Sequence, residues 1–287
     1  MNRGILYGSF AYVLWGFFPI YWKFLHDVPA LQVVSHRIGW SFIFLIGFIL
    51  IQRQWKHFRA ASFNWRTIQI YAGAGILLSA NWLTYVWGVH SGKIVEASLG
   101  YFINPLLSVL LGVLFLREKL RPTQWVPVLL AAVGVAYLTY VYGRLPWIAL
   151  LLAFSFGFYG LLKKLAPLGS LYGLTLETAI LFPASLAYLL VMEGQGTGAF
   201  LHVGAQVDLL LCGAGIITTI PLLLFASAAK EIPLTTLGIL QYIAPILQFL
   251  IGVLVYKEAF DFAHFVGFGI VWTALLLFWV ENARARC

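Results

Sequence analysis

Long apolar runs follow one another along almost the whole chain, with connections between them too short to fold on their own. They cover residues 5–25, 33–51, 67–89, 94–116, 124–142, 145–165, 170–191, 207–229, 232–255 and 263–280. Each is close to the roughly 20 residues with which an α-helix crosses a bilayer core. A backbone surrounded by lipid must satisfy its own hydrogen bonds, so runs of this length are expected to be helical. The expectation is an all-α membrane protein of ten transmembrane helices. The 287 residues carry only 18 Lys/Arg and 10 Asp/Glu, against about one quarter charged in a soluble domain. The longest connections, 52–66 and 193–208, leave no room for a separate soluble domain. The start of the chain reads as a retained first span rather than a removed signal peptide.

The net charge of +8 would suit a nucleic-acid partner, but its distribution argues otherwise. With the N-terminus in the cytoplasm, the inner segments hold Arg3; Arg53, Lys56, Arg59 and Arg66; Arg117, Lys119 and Arg121; Lys163 and Lys164; Lys230; and Arg284 and Arg286, 13 in all. The outer loops hold three, Lys93, Arg144 and Lys257, while Lys23 and Arg37 lie within span ends. Excess positive charge on cytoplasmic loops sets orientation. The basic balance therefore records topology in an inner (plasma) membrane with both termini cytoplasmic, and no nucleic-acid partner is expected.

An internal repeat is legible at an offset of 140. SLGYFINPLLSVLLGVLFLRE (98–118) aligns without gaps on GILQYIAPILQFLIGVLVYKE (238–258), with eight identities in positions 103–118, among them Pro105/Pro245, Gly112/Gly252 and Glu118/Glu258. A weaker echo sets Trp-Gly-Phe-Phe (15–18) against Phe-Gly-Phe-Tyr (156–159). The chain divides into five-helix halves, 1–142 and 143–287. An odd number of spans per half makes the second enter the membrane from the opposite side, and inverted repeats of this kind place transport sites near the midplane between them.

Several strings resemble the RarD family of EamA-type transporters, in the drug/metabolite transporter superfamily, over nearly the whole chain. They are AYVLWGFFPIYWK (11–23), VPALQVVSHRIGWSF (28–42), NWLTYVWGV (81–89), EASLGYFINPLLSVLLG (96–112), AFSFGFYGLLKK (153–164), GIITTIPLLLFASAA (215–229) and TTLGILQYIAP (235–245). The string at 96–112 is the most specific; Ile239 and Leu240 depart from the aromatic residues expected in the last. The resemblance implies two inverted five-helix repeats and alternating access, in a family described as chloramphenicol-sensitive permeases. It fixes no substrate.

A few residues stand out as carriers of chemistry. Glu177 lies deep in an apolar run, where a carboxylate must be paired, protonated or turned to a cavity. It is read as a proton-coupling or substrate site, or as a structural partner. Arg37 precedes it by the repeat offset, so the two are expected at pseudosymmetric positions, where they form a buried ion pair, or Arg37 binds substrate or snorkels to the outer interface. Trp15, Trp82, Tyr85, Tyr101, Tyr159 and Tyr242, near the polar Asn81, Asn104 and Gln241, read as packing residues one by one and as the lining of a binding cavity together. Pro105 and Pro245 interrupt their spans and are read as hinges. Glu96 suits the first turn of its helix or a gate beside Lys93. Glu118 and Glu258 are expected to form interfacial salt bridges with their basic neighbours. His26 and His90 fall near span ends.

No GxSxG, HExxH, phosphate loop or Cys/His cluster is present, so no enzyme, cofactor or metal site is expected. Two cysteines give no disulfide framework. The leading expectation is a secondary transporter, in the outward direction, of small organic solutes such as metabolites, amino acids or drugs, with protons as a candidate coupling ion. A passive channel or facilitator and a non-transporting scaffold are the alternatives. The oligomeric state stays open and is compatible with a monomer.

Overall fold

The computed structural model describes residues 3–141, 143, 147–257 and 261–284. All regular structure among them is helical. The first expected span divides into α1 (Arg3–Gly16) and α2 (Phe18–Lys23). Pro19 sits in the first turn of α2, where its missing N–H costs least. α3 (Ala30–Ile51) is followed by a short helix, α4 (Trp55–Ser62), inside the basic connection. Then come α5 (Trp65–His90), α6 (Ile94–Leu116), α7 (Pro122–Val141), α8 (Trp147–Leu165), α9 (Ser170–Gly194) and α10 (Ala205–Glu231). The ninth run holds α11 (Leu234–Leu240), α12 (Ile243–Leu250) and a π-helical turn (Ile251–Val255), and α13 (Phe262–Arg284) ends the described chain.

Among the described residues, eight segments are long and apolar enough to cross a membrane. The ten expected spans also include α5, which carries Gln69, Asn81 and Thr84, and α13, whose described apolar stretch is the shorter Phe265–Ala274.

The 140-residue offset recurs in the helices themselves. Ala30 and Ser170, Trp65 and Ala205, Ile94 and Leu234, and Pro122 and Phe262 each begin a helix. Packing follows the same exchange. α1 lies on α10 as α8 lies on α5; α3 on α10 as α9 on α5; α6 on α8 as α12 on α1. α3 packs on its counterpart α9, and α7 on its counterpart α13.

The two prolines part company here. Pro105 lies inside an uninterrupted α6, whereas Pro245 follows a break at Gln241 and Tyr242. Proline has no N–H to give to the carbonyl four residues back. The turn tightens instead, with Tyr242 N donating to Ile239 O at 3.2 Å and Ala244 N to Gln241 O at 3.2 Å.

Two glycines let helices touch where the site is built. A Cβ on Gly100 would stand 2.7 Å from the carbonyl oxygen of Ala149, and one on Gly215 2.6 Å from the Cβ of Trp40. Small residues at such crossings allow backbones to approach. Ser41 Oγ uses the second approach to donate to Gly215 O at 3.1 Å.

Helix ends are closed by side chains from other helices. Lys164 Nζ donates to Ala229 O at 3.2 Å and Ile232 O at 2.9 Å, while Lys230 Nζ donates to Ala166 O at 2.7 Å. Cations suit carbonyl-rich C-termini. Glu118 corrects an expectation. Rather than resting on a neighbouring cation, its carboxylate accepts from the backbone N–H of Leu234 at 2.9 Å and of Thr235 at 3.1 Å. It caps α11, because the first N–H groups of a helix have no partner within it. Its repeat mate Glu258 lies outside the described residues. Glu96 is buried in the first turn of α6, where the helix dipole favours it.

Candidate functional site

A cavity of about 480 Å³, counted out to its mouth, lies among helices from both sides of residue 142. α1 and α2 bring Tyr12, Trp15 and Phe18 to it; α3 brings Arg37. α5 contributes Asn81, Trp82 and Tyr85, and α6 contributes Tyr101. From the second half come Phe156, Gln241, Ala244, Pro245 and Gln248. The echo between 15–18 and 156–159 becomes physical in this wall: the rings of Trp15 and Phe156 meet edge to face at 5.4 Å.

Arg37 is the cation of the cavity wall and is only 1% exposed. Its Cζ lies 4.3 Å from the ring centroid of Trp22 and 4.3 Å from that of Trp82. Aromatic faces attract a guanidinium, and more strongly when water is excluded. Nε donates to Thr218 Oγ1 at 3.0 Å. Thr218 is carried there by α10, three residues beyond the close approach at Gly215. Nη1 is buried and donates to no partner among the described residues. The interfacial, snorkelling position for Arg37 is thereby excluded.

Asn81 ties together another part of the cavity wall. Its Nδ2 donates to Leu152 O at 3.0 Å and Ser155 Oγ at 3.0 Å, joining α5 to α8, and its Oδ1 accepts from Tyr101 at 3.4 Å. Tyr101 and Tyr85 pack edge to face at 5.4 Å. Gln248 Nε2 donates to Trp15 O at 3.0 Å, which holds α12 against α1.

Four of the candidate residues stand elsewhere. Tyr242, one step from Gln241 along the chain, turns away to pack with Phe102. Asn104 is fully buried beside Gly157 of α8. Glu177 and Tyr159 belong to a separate polar cluster. Lys163 Nζ lies 2.7 Å from Glu177 Oε1, both side chains almost wholly buried, and Tyr159 donates to Oε2 at 3.3 Å. Lys163 also lies over the rings of Tyr71, at 5.2 Å, and Tyr159, at 5.7 Å. The expected Arg37–Glu177 pair is therefore replaced by Lys163–Glu177. Lys163, counted at the sequence level as an inner-surface charge, is an interior residue.

Tyr12, Phe18, Phe156, Ala244 and Gln248 were not singled out from sequence. Tyr12 and Trp15 are three apart on one helix, as are Pro245 and Gln248, so helical periodicity from a chosen residue would have reached both. Trp22 and Thr218, the partners of Arg37, carry no such signal.

Residues 2–140 match the EamA-like transporter family. With its apolar helices, this makes the molecule a multi-pass membrane protein of transporter type. The uncharacterized transporter YojE of Bacillus subtilis is 48% identical over 290 residues, spanning 99% of this chain and 95% of that protein. Protein RarD of Streptomyces exfoliatus is 45% identical, spanning 99% and 91% respectively, and Protein RarD of Escherichia coli 41%, spanning 96% and 94%. The chain belongs to the RarD family of EamA-like transporters. A solved crystal structure with 21% identity superposes with a TM-score of 0.67 over 96% of this chain and 97% of that one, a likeness of fold.

Proposed function

We propose that the chain is a secondary carrier that exports small organic solutes across the inner membrane by alternating access. Its two five-helix halves, related as inverted repeats, rock about the cavity, with both termini cytoplasmic. The observation that carries this reading is the cavity's composition: α1, α3, α5 and α6 build it together with α8 and α12. Relative motion of the halves then changes which side the cavity opens to, as in other inverted-repeat carriers. Substrate binds among Trp15, Trp82, Tyr101 and Gln241, with Pro245 beside it as the flexible element.

The test is counterflow in proteoliposomes, using labelled amino acids, metabolites and antibiotics that raise the melting temperature of the purified protein. Saturable exchange, accelerated by unlabelled solute on the far side, is the expected result. Trp15→Ala is expected to lower that exchange about tenfold, the loss of roughly one good contact, and also to lower the melting temperature, because the Trp15 ring packs on Tyr12, Phe156 and Phe225. Flux that rises linearly with concentration and shows no counterflow overturns the carrier and leaves a channel.

A further inference from the structure

Three buried polar atoms without a hydrogen-bond partner lie on residues of the same cavity: the Tyr12 hydroxyl, Gln248 Oε1 and Arg37 Nη1. Buried polar groups are normally satisfied, and exceptions call for a reason. Arg37 is the most demanding of them, because a buried charge needs a counter-ion or a very good substitute. Trp22 and Trp82 supply part of that substitute through their ring faces. Ring faces attract charge, but they leave the N–H donors at the edge of the guanidinium without an acceptor. Of the hydrogen bonds seen, Nε alone has one, on Thr218.

Among the described residues, no carboxylate is paired with Arg37. The titratable groups that face Arg37 from α2, α5 and α6 are the phenols of Tyr21, Tyr85 and Tyr101, which are neutral near pH 7. The repeat shows that this fold can hold an internal counter-ion at such a depth. The residue 140 positions on, Glu177, is neutralised by Lys163 at 2.7 Å. Arg37 is left with its charge and with both N–H groups of Nη1 open.

We infer that Arg37 is the anion-recognising residue of the cavity and that the transported solutes carry a carboxylate. A carboxylate matches the planar fork of a guanidinium. Among the described residues the cavity wall offers one cation, which fits a monoanion and disfavours a phosphate monoester. Trp15, Phe18 and Phe156 receive the solute's apolar body. The inference rests on the transport reading of this cavity and specifies its substrate class.

The experiment uses the full chain in lipid nanodiscs, with 3-phenylpropionate, its neutral amide 3-phenylpropanamide, and phenyl phosphate as probes. Binding is read by thermal shift and by tryptophan fluorescence, to which Trp22 and Trp82 contribute. The carboxylate is expected to saturate at least about tenfold below the amide and the phosphate, the scale of one charged hydrogen bond. Arg37→Gln should abolish that preference. Arg37→Lys should lose most of it, because an ammonium is not planar and donates no matching fork. Thr218→Asp guards against a misfolded Arg37 variant: it supplies the missing counter-ion beside Nε, so the fold should be kept and carboxylate preference lost. Equal binding of acid and amide by the unmodified chain, preference surviving in Arg37→Gln or Thr218→Asp, or absence of carboxylate binding overturns the inference. Failure of the transport reading looks different: flux through proteoliposomes would then be linear and without counterflow, whichever probe binds.

Discussion

Arg37 and Glu177 occupy equivalent positions in α3 and α9, two helices that pack on each other, yet their surroundings are opposite in kind. Glu177 has an ion-pair partner at 2.7 Å and a tyrosine on its second oxygen. Arg37 has two indoles and a threonine. The repeat explains how the difference is written. Lys163, 140 residues after Lys23, reaches Glu177, whereas Lys23 lies 5.5 Å from the ring of Tyr256. The positions of Trp82 and Thr218 are taken by Leu222 and Leu78 in the other half. Glu177 is thus paired with a cation, whereas Arg37 lines the cavity with no carboxylate paired to it among the described residues. On the reading proposed above, a few neighbouring side chains at positions 140 residues apart divide structure from recognition.

The strongest way to break this comparison is to remove single charges. Lys163→Met or Glu177→Leu strands a buried partner and is expected to cost about 3–5 kcal/mol. The double substitution should recover most of it, as measured by unfolding in detergent. Arg37→Met has no carboxylate to strand and should change stability by no more than about 1 kcal/mol. A loss as large as that of Lys163→Met would mean that Arg37 is a structural charge after all.

A smaller effect separates the prolines. Pro245→Ala returns a donor to the Gln241 carbonyl and should straighten the break between α11 and α12. One hydrogen bond of about 1 kcal/mol corresponds to a several-fold slowing of counterflow. Pro105→Ala, in an α6 that is already continuous, should alter flux less than about twofold on the same scale. Equal effects would remove the distinction between the halves at this level. The smallest effect belongs to the cap. Glu118→Gln keeps an acceptor for α11 but loses its charge and should cost about 0.5–1 kcal/mol in melting experiments; an unchanged melting temperature would show that the cap contributes nothing.

The helices were legible because lipid leaves an apolar run of this length little choice. Glu177 and Arg37 were legible as exceptional for the same reason. Their partners were not. Two residues related by a repeat share surroundings in outline, but nothing brings them into contact, and the supposed ion pair failed on that point. Lys163 was hidden by Lys164. Side by side at the end of α8 they look like one interfacial cluster, yet adjacent residues on a helix point about 100° apart. Lys164 turns to the carbonyls ending α10 and Lys163 turns inward. Tyr242 and Gln241 diverge similarly, one to the aromatic packing beside α13 and one to the cavity. Polar residue type was readable in the sequence, but the face on which it falls depends on a proline break whose geometry was not.

The cap on α11 also bears on how such a molecule moves. Glu118 joins the end of α6 to a helix start 116 residues further along by two hydrogen bonds to one carboxylate. Parting the helices there would break both bonds together, whereas swivelling about them breaks neither. Under the alternating access proposed above, the junction would have the character of a fulcrum. α6 has 23 residues and is roughly 35 Å long at 1.5 Å per residue, so a small rotation at Glu118 would be widest at the opposite end of the helix, beside Ile94.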